Sequence, residues 1–229
     1  MISRRIEAVV SEISGNVLAD IGTDHGYIAI EALLSGRVSR AILCDLNSGP
    51  LQRAKSNIAV WGLTESAQTR QGSGLAPLLP NEADCVSIAG MGGMLIIKIL
   101  REGMDVLQSI DRLVLQPQLD IHTVRKFIHT AGFMIANEHI IFEGRFYTIL
   151  SCKRGSDVEY SDDEYAFGRL LIQRKDAVLK QYLQYRIAEY EKILRELNAA
   201  VLLRPSQGKT PAQSIMKEKN ICEEVLDCL

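Results

Sequence analysis

The length, composition and charge of the chain exclude several classes of protein. With 229 residues, of which 47% are hydrophobic and 24% charged, the chain predicts one large globular domain plus a small appendage. A net charge of −2 argues against a generally basic, nucleic-acid-coating protein but is compatible with a local basic face. No run of residues reaches the roughly 18 apolar positions of a membrane span, so we expect no membrane partner.

The N-terminal part predicts a helix followed by an alternation of strands and helices. MISRRIEAVVSEI has scattered charges, which argues against a signal peptide and predicts a short amphipathic helix. Short β-rich runs then alternate with helical runs from about residue 16 to 150, which predicts a parallel sheet covered on both faces. The predicted strands are Val17–Ile21, Ala41–Cys44, Ala67–Gln71, Cys85–Ala89 and Arg112–Leu115, and the predicted helices are Tyr27–Leu34, Gly49–Trp61, Met94–Leu107 and Ile121–Thr130.

The sheet is predicted to close with an antiparallel hairpin. Phe133–Phe142 and Phe146–Lys153 are β-rich runs without a helix between them, and Gly144 lies at the turn. After Arg154 the chain becomes polar and acidic in GSDVEYSDDEY, which suggests a boundary. We therefore expect two domains, 1–154 and 155–229.

The second domain is predicted to be helical. Phe167–Leu203 contains no proline, and its apolar residues recur in steps of four and three, as in a coiled-coil seam: Leu183, Ile187, Tyr190, Leu194, Leu197 and Val201. RPSQGKTP (Arg204–Pro211) is expected to break the helix, and a last amphipathic stretch follows at Ala212–Leu229.

The cysteines favour a reducing compartment. No two of them form a Cys-x-x-Cys pair, and no histidine cluster accompanies them, so we expect no metal site and no redox site. Such usage is typical of a cytoplasmic protein. The five residues are Cys44, Cys85, Cys152, Cys222 and Cys228.

The sequence LADIGTDHGYI places polar residues where the first strand gives way to a helix. A dinucleotide-binding loop would need glycines at positions 24 and 27, which hold Asp24 and Tyr27. The D-x-G-x-x-x-G pattern from Asp20 instead resembles the first motif of S-adenosylmethionine-dependent methyltransferases. Glycines allow close approach of the backbone to the cofactor, and a carboxylate can hold its ammonium group. A plain turn, with Asp24 capping the helix, is the alternative.

Four further motifs also fall at predicted strand ends. Asp45 lies 23 residues after Gly22 and can accept hydrogen bonds from both ribose hydroxyls, although it could equally cap the next helix. QGSGLAPL and LQPQ follow the third and fifth strands. AGMGG follows the fourth, where enzymes that methylate exocyclic amines usually carry (Asp/Asn)-Pro-Pro-(Tyr/Phe); its glycines suit either a flat ring against bare backbone or close packing of helix and strand. In open α/β sheets, ligand sites collect at this edge.

Taken together, these motifs resemble a specific family. D-x-G-(S/T)-D-H-x-Y at Asp20–Tyr27, Asn47–Pro50, Gly74–Leu75, I-A-G-M-G-G at Ile88–Gly93 and L-Q-P at Leu115–Pro117 are similar to the bacterial tRNA (adenine-N1)-methyltransferases that modify adenine 22. The resemblance covers residues 2 to 154; beyond 155 only the architecture is similar. It implies an α/β fold with a Rossmann-like class I methyltransferase sheet, mostly parallel with one antiparallel strand near the C-terminal hairpin, and a helical, coiled-coil-like extension.

The resemblance also implies roles for individual residues. S-adenosylmethionine is expected to contact Asp20, Gly22, Thr23, Gly26, Asp45, Leu46, Ser73, Gly74, Leu75, Ala89, Gly90 and Met91. The adenine is expected to be held by Asp24, His25, Tyr27 and Gln116, with Gly92, Gly93 and Pro117 also on the substrate side. Two positions depart from the family pattern: Ser73 stands where Asn or Asp is expected, and Gly26 where Ala is common. Ser73 puts the contact to the adenine ring of the cofactor in doubt.

A basic run in the second domain is the predicted tRNA-binding element. Arg169, Arg174, Lys175, Lys180 and Arg186 surround a single acid, Asp176, and Tyr182 and Tyr185 lie among them. Such a helix could follow phosphates or could simply be a solvated face.

Two other functions fit the same motifs. The chain could methylate a small molecule or a protein, or it could be a SAM-binding module without catalysis whose helical tail docks a protein. We expect tRNA as the partner and a monomer as the working form.

Overall fold

A seven-stranded sheet forms the centre of the first part of the molecule. The computed structural model describes residues 2–203 and 210–229. The strands are β1 (Val17–Ile21), β2 (Arg40–Asp45), β3 (Ala67–Gln71), β4 (Cys85–Met91), β5 (Arg112–Pro117), β6 (Phe133–Glu143) and β7 (Arg145–Arg154). They lie in the order β3-β2-β1-β4-β5-β7-β6, and β7 runs antiparallel to both of its neighbours, whereas β1 to β5 pair in parallel. The predicted mostly parallel sheet with one antiparallel strand is confirmed.

Helices follow most of the strands, and the chain divides into two compact units, one ending at Glu159 and the other spanning Tyr160–Leu229. The predicted boundary at 154/155 lies five residues earlier. The first unit contains α1 (Arg4–Glu12), α2 (Tyr27–Leu34), α3 (Ser48–Val60), α4 (Gly93–Glu102), α5 (Met104–Leu107) and α6 (Ile121–Thr130). The second contains α7 (Asp162–Phe167), α8 (Arg169–Gln173), α9 (Ala177–Leu203) and α10 (Thr210–Cys228).

The central strands are apolar because helices cover both faces of a parallel sheet. All five residues of β1 are buried, and so are four consecutive residues of both β2 and β4. The edge strand β3, AQTRQ, is only partly buried and correspondingly polar. Burial of the central strands fixes their register, so that the polar residues at their carboxyl ends meet at one rim.

The N-terminal helix is fastened to the hairpin of β6 and β7. Ser3 caps α1 by accepting a hydrogen bond from the amide of Ile6. The carboxylate of Glu143 accepts from the amides of Arg4 (3.0 Å) and Arg5 (3.3 Å), which compensates the unpaired N–H groups of the first turn. At its other end α1 contributes Glu12 to a contact with β6. The helix therefore has a fixed position beside the sheet.

The predicted helix Met94–Leu107 is in fact two helices. α4 ends at Gly103, where a side chain would lie 2.6 Å from Cβ of Leu75. The backbone at Gly103 therefore packs directly on Leu75, and the chain turns into α5 there. The break is set by a tertiary contact, which the hydrophobic pattern of Met94–Leu107 alone does not show.

In the second unit, the single helix predicted at Phe167–Leu203 is wrong. Gly168 (φ 96°) separates α7 from α8, and Lys175 (φ 52°) lies in the left-handed region between α8 and α9. Asp176 then caps α9, since its carboxylate accepts from the amides of Val178 (2.9 Å) and Leu179 (3.1 Å). Helix α7 was not predicted. It begins with a capping box of Ser161 and Glu164, a signal that the sequence does contain.

The predicted apolar seam lies along α9, which packs against α10. Leu183 and Tyr190 are buried, and Ile187, Leu194 and Leu197 are half-buried. The hydroxyl of Tyr190 donates a hydrogen bond to Glu218 on α10 at 2.6 Å. Val201 and the predicted break at 204–211 lie wholly or largely outside the residues whose side chains are described. Over the described residues, no helix combines the length and apolarity that crossing a membrane would require.

Candidate active site

The carboxyl ends of neighbouring parallel strands bring the predicted motifs together. Asp20 of β1 pairs in register with Leu43 of β2 and Ser87 of β4. Asp45 ends β2, the glycine-rich AGMGG segment ends β4, and Gln116 lies near the end of β5. The rim predicted from the strand pattern therefore exists, and it holds all the motifs assigned to the first unit.

Asp20 is a buried carboxyl group at the centre of this rim. Its side chain is 3% exposed, and Oδ1 accepts a hydrogen bond from Oγ of Ser87 at 2.7 Å. Burial raises the pKa of Asp20, and the hydrogen bond from Ser87 opposes that rise. A cation placed beside Asp20 would favour its charged form, as expected of a group that holds an ammonium.

The loop after β1 presents bare backbone and an unsatisfied hydroxyl group. The amides of Gly22 and Thr23 both donate to the carbonyl of Cys44, at 2.8 and 3.1 Å, which ties the loop to the end of β2. Gly22 has φ 75°, and a Cβ there would lie 1.9 Å from the terminal methyl of Met91. Oγ1 of Thr23 is buried without a hydrogen-bond partner among the described residues. A buried polar atom of this kind suits a ligand that supplies the missing bond.

Asp24, His25 and Tyr27 form a cluster with Arg53, a residue that the sequence reasoning missed. The guanidinium of Arg53 is paired with Oδ1 of Asp24, and Nε2 of His25 lies 3.5 Å from Oδ2. This contact with Arg53 lowers the pKa of Asp24. The rings of His25 and Tyr27 stack at 5.3 Å with an interplanar angle of 8°. Asp24 is thereby a weak proton acceptor, whereas Tyr27, 46% exposed, presents a ring to solvent.

Gly26 is placed by packing. It adopts φ 75° at the start of α2, and a Cβ would lie 2.9 Å from Leu43 and 3.3 Å from Cβ of Ala54. An alanine here would be strained and would crowd α3. The departure from the family pattern at this position therefore fits the local packing of this chain.

Asp45 shapes the turn between β2 and α3. Its Oδ1 accepts from the amide of Asn47 at 2.7 Å, and Asn47 itself occupies the cap position of α3, so Asp45 is not the cap. Oδ2 has no hydrogen-bond partner among the described residues, which leaves it available to a hydroxyl group. The next side chain, Leu46, is 63% exposed and provides an apolar surface beside it.

The segment after β3 contributes less than predicted. Ser73 is exposed, and Gly74 (φ 54°) lies against Ile99. The side chain of Leu75 is 1% exposed and packs in the core against Gly103, so only the backbone of Leu75 is available for binding.

The three glycines of AGMGG have different structural roles. Gly90 has φ 81°, and a Cβ there would approach Nη1 of Arg5 at 3.4 Å. Gly92 faces open space, since none of the described atoms lies within 4 Å of the position that a Cβ would occupy. Gly93 has no such space, since a Cβ would lie 2.5 Å from the carbonyl oxygen of Leu119. Gly93 thus permits close packing, whereas Gly90 and Gly92 leave bare backbone at the rim beside Ala89 and Met91.

Gln116 is enclosed, in contrast to the expectation that it faces the adenine openly. Its side chain is fully buried; Nε2 donates to the carbonyl of Pro117 at 3.2 Å, and Oε1 accepts from Nη1 of Arg5 at 3.4 Å. Arg5, which was not predicted, is therefore the group that lies next to Gln116.

The basic residues of the second unit differ in their availability. Arg169 contacts Glu164 (3.4 Å) and the ring of Tyr160, and Arg174 contacts Asp176 (3.1 Å). Lys175 and Lys180 are exposed and form no ion pair with any of the described residues. These two lysines are the better candidates for phosphate contacts within this unit.

Comparisons with known proteins agree with this geometry. A family model described as tRNA (adenine(22)-N(1))-methyltransferase matches residues 18–225. The Bacillus subtilis protein of that name is 32% identical, over 99% of this chain and 97% of its own. A Streptococcus pneumoniae structure in complex with S-adenosyl-L-methionine is 33% identical, with TM-score 0.86 over 99% and 100% of the two chains. A Streptococcus agalactiae structure from the NADB-Rossmann superfamily is 30% identical, with TM-score 0.89 over 99% and 98%.

Proposed function

The chain belongs to the tRNA (adenine(22)-N(1))-methyltransferase family, and from that membership we propose how its residues transfer a methyl group from S-adenosylmethionine to N1 of adenine 22 in tRNA. The Rossmann-like methyltransferase fold, the cofactor and the enzyme class predicted from the sequence are confirmed. The roles of individual residues, the division of labour between the units and the oligomeric state remain proposals.

The rim residues fit the cofactor. When bound, S-adenosylmethionine supplies a methyl group on a positively charged sulfur. Asp45 would accept hydrogen bonds from the ribose hydroxyls through its free Oδ2, and Asp20 would favour the ammonium group. Thr23 would complete its missing hydrogen bond, and the backbone at Gly22 and Gly90 allows close approach. The convergence of Asp20, Thr23 and Asp45 at the ends of adjacent strands is the observation that best supports these roles.

The chain's own contribution to the transfer is mainly positioning. N1 of adenine carries an unprotonated lone pair at neutral pH, so no base is needed to create the nucleophile. N1 lies on the pairing edge, and the adenine must therefore leave its pairing partners to be methylated. The exposed ring of Tyr27, backed by His25, would stack on that adenine, and the bare backbone at Gly92 would face its edge. Asp24, held by Arg53, would orient His25 rather than accept a proton.

The second unit would contribute tRNA affinity. Lys175 and Lys180 are exposed and free of ion pairs among the described residues, which suits contacts to phosphates. We further propose that the protein works in the cytoplasm, where its free cysteines stay reduced, and as a monomer, since one chain supplies all the rim residues. Light scattering of the purified protein tests the monomer directly.

Methylation of unmodified total tRNA tests the function as a whole. The purified chain is incubated with labelled S-adenosylmethionine and tRNA, and the nucleosides are then separated. We expect label in 1-methyladenosine and in no other nucleoside. Label in a metabolite or protein pool but not in tRNA would favour another substrate, and cofactor binding without any transfer would favour a non-catalytic module.

A further inference from the structure

Three arginines gather around one tyrosine at the start of α1 and the tip of the β6–β7 hairpin. The guanidinium of Arg5 lies over the ring of Tyr147, 5.5 Å from its centroid, and that of Arg145 lies over the same ring at 4.8 Å. Arg4, the neighbour of Arg5, is exposed, as is Arg145. We call Arg4, Arg5 and Arg145 the arginine cluster.

The arginine cluster has no compensating carboxylate. Among the described residues, none of its three side chains lies within 4 Å of an acidic oxygen. The nearby acid, Glu143, spends its two oxygens on the backbone amides of Arg4 and Arg5. Like charges held close together repel one another unless an anion binds between them. The cluster is therefore prepared for an anionic partner.

The cluster adjoins the site proposed for the adenine. Nη1 of Arg5 lies 3.4 Å from Oε1 of Gln116, and at the same distance from the Cβ position of Gly90. One guanidinium thus links the hairpin tip to the ends of β4 and β5. An anion on the arginine cluster would lie next to the group that is methylated.

The same hairpin presents aromatic surface. Phe142 is 49% exposed, and its ring lies 5.0 Å from that of Phe146 at an angle of 57°. Arginines that bind phosphate together with aromatic rings that can stack on bases are typical of surfaces that bind single-stranded or unpaired nucleotides.

We propose that the arginine cluster binds backbone phosphates of the tRNA beside the target adenine, as an anchor on the methyltransferase unit separate from the lysines of the second unit. This inference rests on the proposed function, since it takes tRNA as the substrate. Arginine suits the task because its planar guanidinium forms paired hydrogen bonds to phosphate oxygens. Arg5 would hold the phosphate nearest the adenine, and Arg4 and Arg145 would extend the contact outward.

The test compares variants that each remove one exposed positive charge. Arg145→Gln and Arg4→Gln alter the cluster, and Arg112→Gln is the matched control, because Arg112 is exposed at the amino end of β5, away from the rim. Binding of unmodified tRNA is measured at several salt concentrations with S-adenosylhomocysteine present, so that no methyl transfer occurs. Cofactor affinity is measured by calorimetry in the same samples.

We expect Arg145→Gln and Arg4→Gln each to weaken tRNA binding about fivefold to tenfold with unchanged cofactor affinity. The slope of log affinity against log salt should fall by about 0.7–0.9 for each lost phosphate contact. In turnover, KM for tRNA should rise while kcat is kept. Equal affinity and slope in Arg145→Gln, Arg4→Gln and Arg112→Gln would overturn the assignment. A wild-type chain that binds tRNA but methylates none of it would instead contradict the proposed function.

Discussion

Replacing Asp45 should separate its two roles, in the turn and in cofactor binding. Oδ1 holds the amide of Asn47 at 2.7 Å, and Oδ2 is free to accept from a ribose hydroxyl. Asp45→Ala removes both. Asp45→Asn keeps an oxygen for the turn but loses the charge, and it replaces one acceptor by a donor.

The magnitude follows from the hydrogen bonds that are lost. A hydrogen bond to a charged group contributes about 1.5–3 kcal/mol, and the ribose pair together about 2–4 kcal/mol. Asp45→Ala should therefore weaken S-adenosylmethionine binding about 30-fold to 900-fold. Asp45→Asn should fall between the wild type and Asp45→Ala, because it keeps one neutral acceptor and the turn.

Isothermal titration with S-adenosylmethionine measures these affinities, and thermal unfolding without the cofactor checks the fold. Asp105→Asn, an acid on α5 away from the rim, is the control for the loss of one negative charge. Unchanged affinity in Asp45→Ala would refute the assignment of Asp45. Equal losses in Asp45→Ala and Asp45→Asn would mean that charge alone matters and that the turn does not.

Three further predictions concern stability, tRNA binding and adenine stacking. Glu12→Gln should lower the free energy of unfolding by about 2–3 kcal/mol at pH 7, because the hydrogen bond from His139 lowers the pKa of Glu12 from 4.5 to about 2. Since the folded-state pKa is the lower one, this stabilisation is complete above pH 4.5 and is lost as the pH falls toward 2; a difference from wild type that did not shrink over that range in denaturant titrations would contradict it. Lys175→Gln combined with Lys180→Gln should reduce the salt slope of tRNA binding by about 1.4–1.8; a wild-type slope would show that the second unit binds no phosphate there. Tyr27→Ala should lower kcat/KM for tRNA by about 5-fold to 150-fold at unchanged cofactor affinity; wild-type turnover at limiting tRNA would remove Tyr27 from the site.

The sheet and its rim were predictable because their signals are local. The strands β1 and β3 have the bounds predicted from the sequence, and α2 and α6 do as well. Apolar runs that end in Asp20 and Asp45 identify both the strand and the polar residue at its end. Since parallel strands share one carboxyl edge, the pattern alone brings those residues together.

The contacts that were missed join distant parts of the chain. Arg5 reaches Gln116 across 111 residues, and Arg53 reaches Asp24 across 29. Neither arginine is distinguished locally from any other arginine on a helix. The break at Lys175 was missed for a related reason, since a lysine is an uncommon residue in the left-handed region and gives no signal for it.

The position and chemistry of the methyl group test the central claim most directly. Unmodified tRNA is treated with the wild-type chain and S-adenosylmethionine and then copied by reverse transcriptase. A methyl group on N1 blocks the pairing edge, so we predict a new stop or misincorporation at adenine 22 and at no other adenine. New methyladenosine in tRNA that is read through at every adenine would place the methyl group on another atom, and would contradict the assignment to N1.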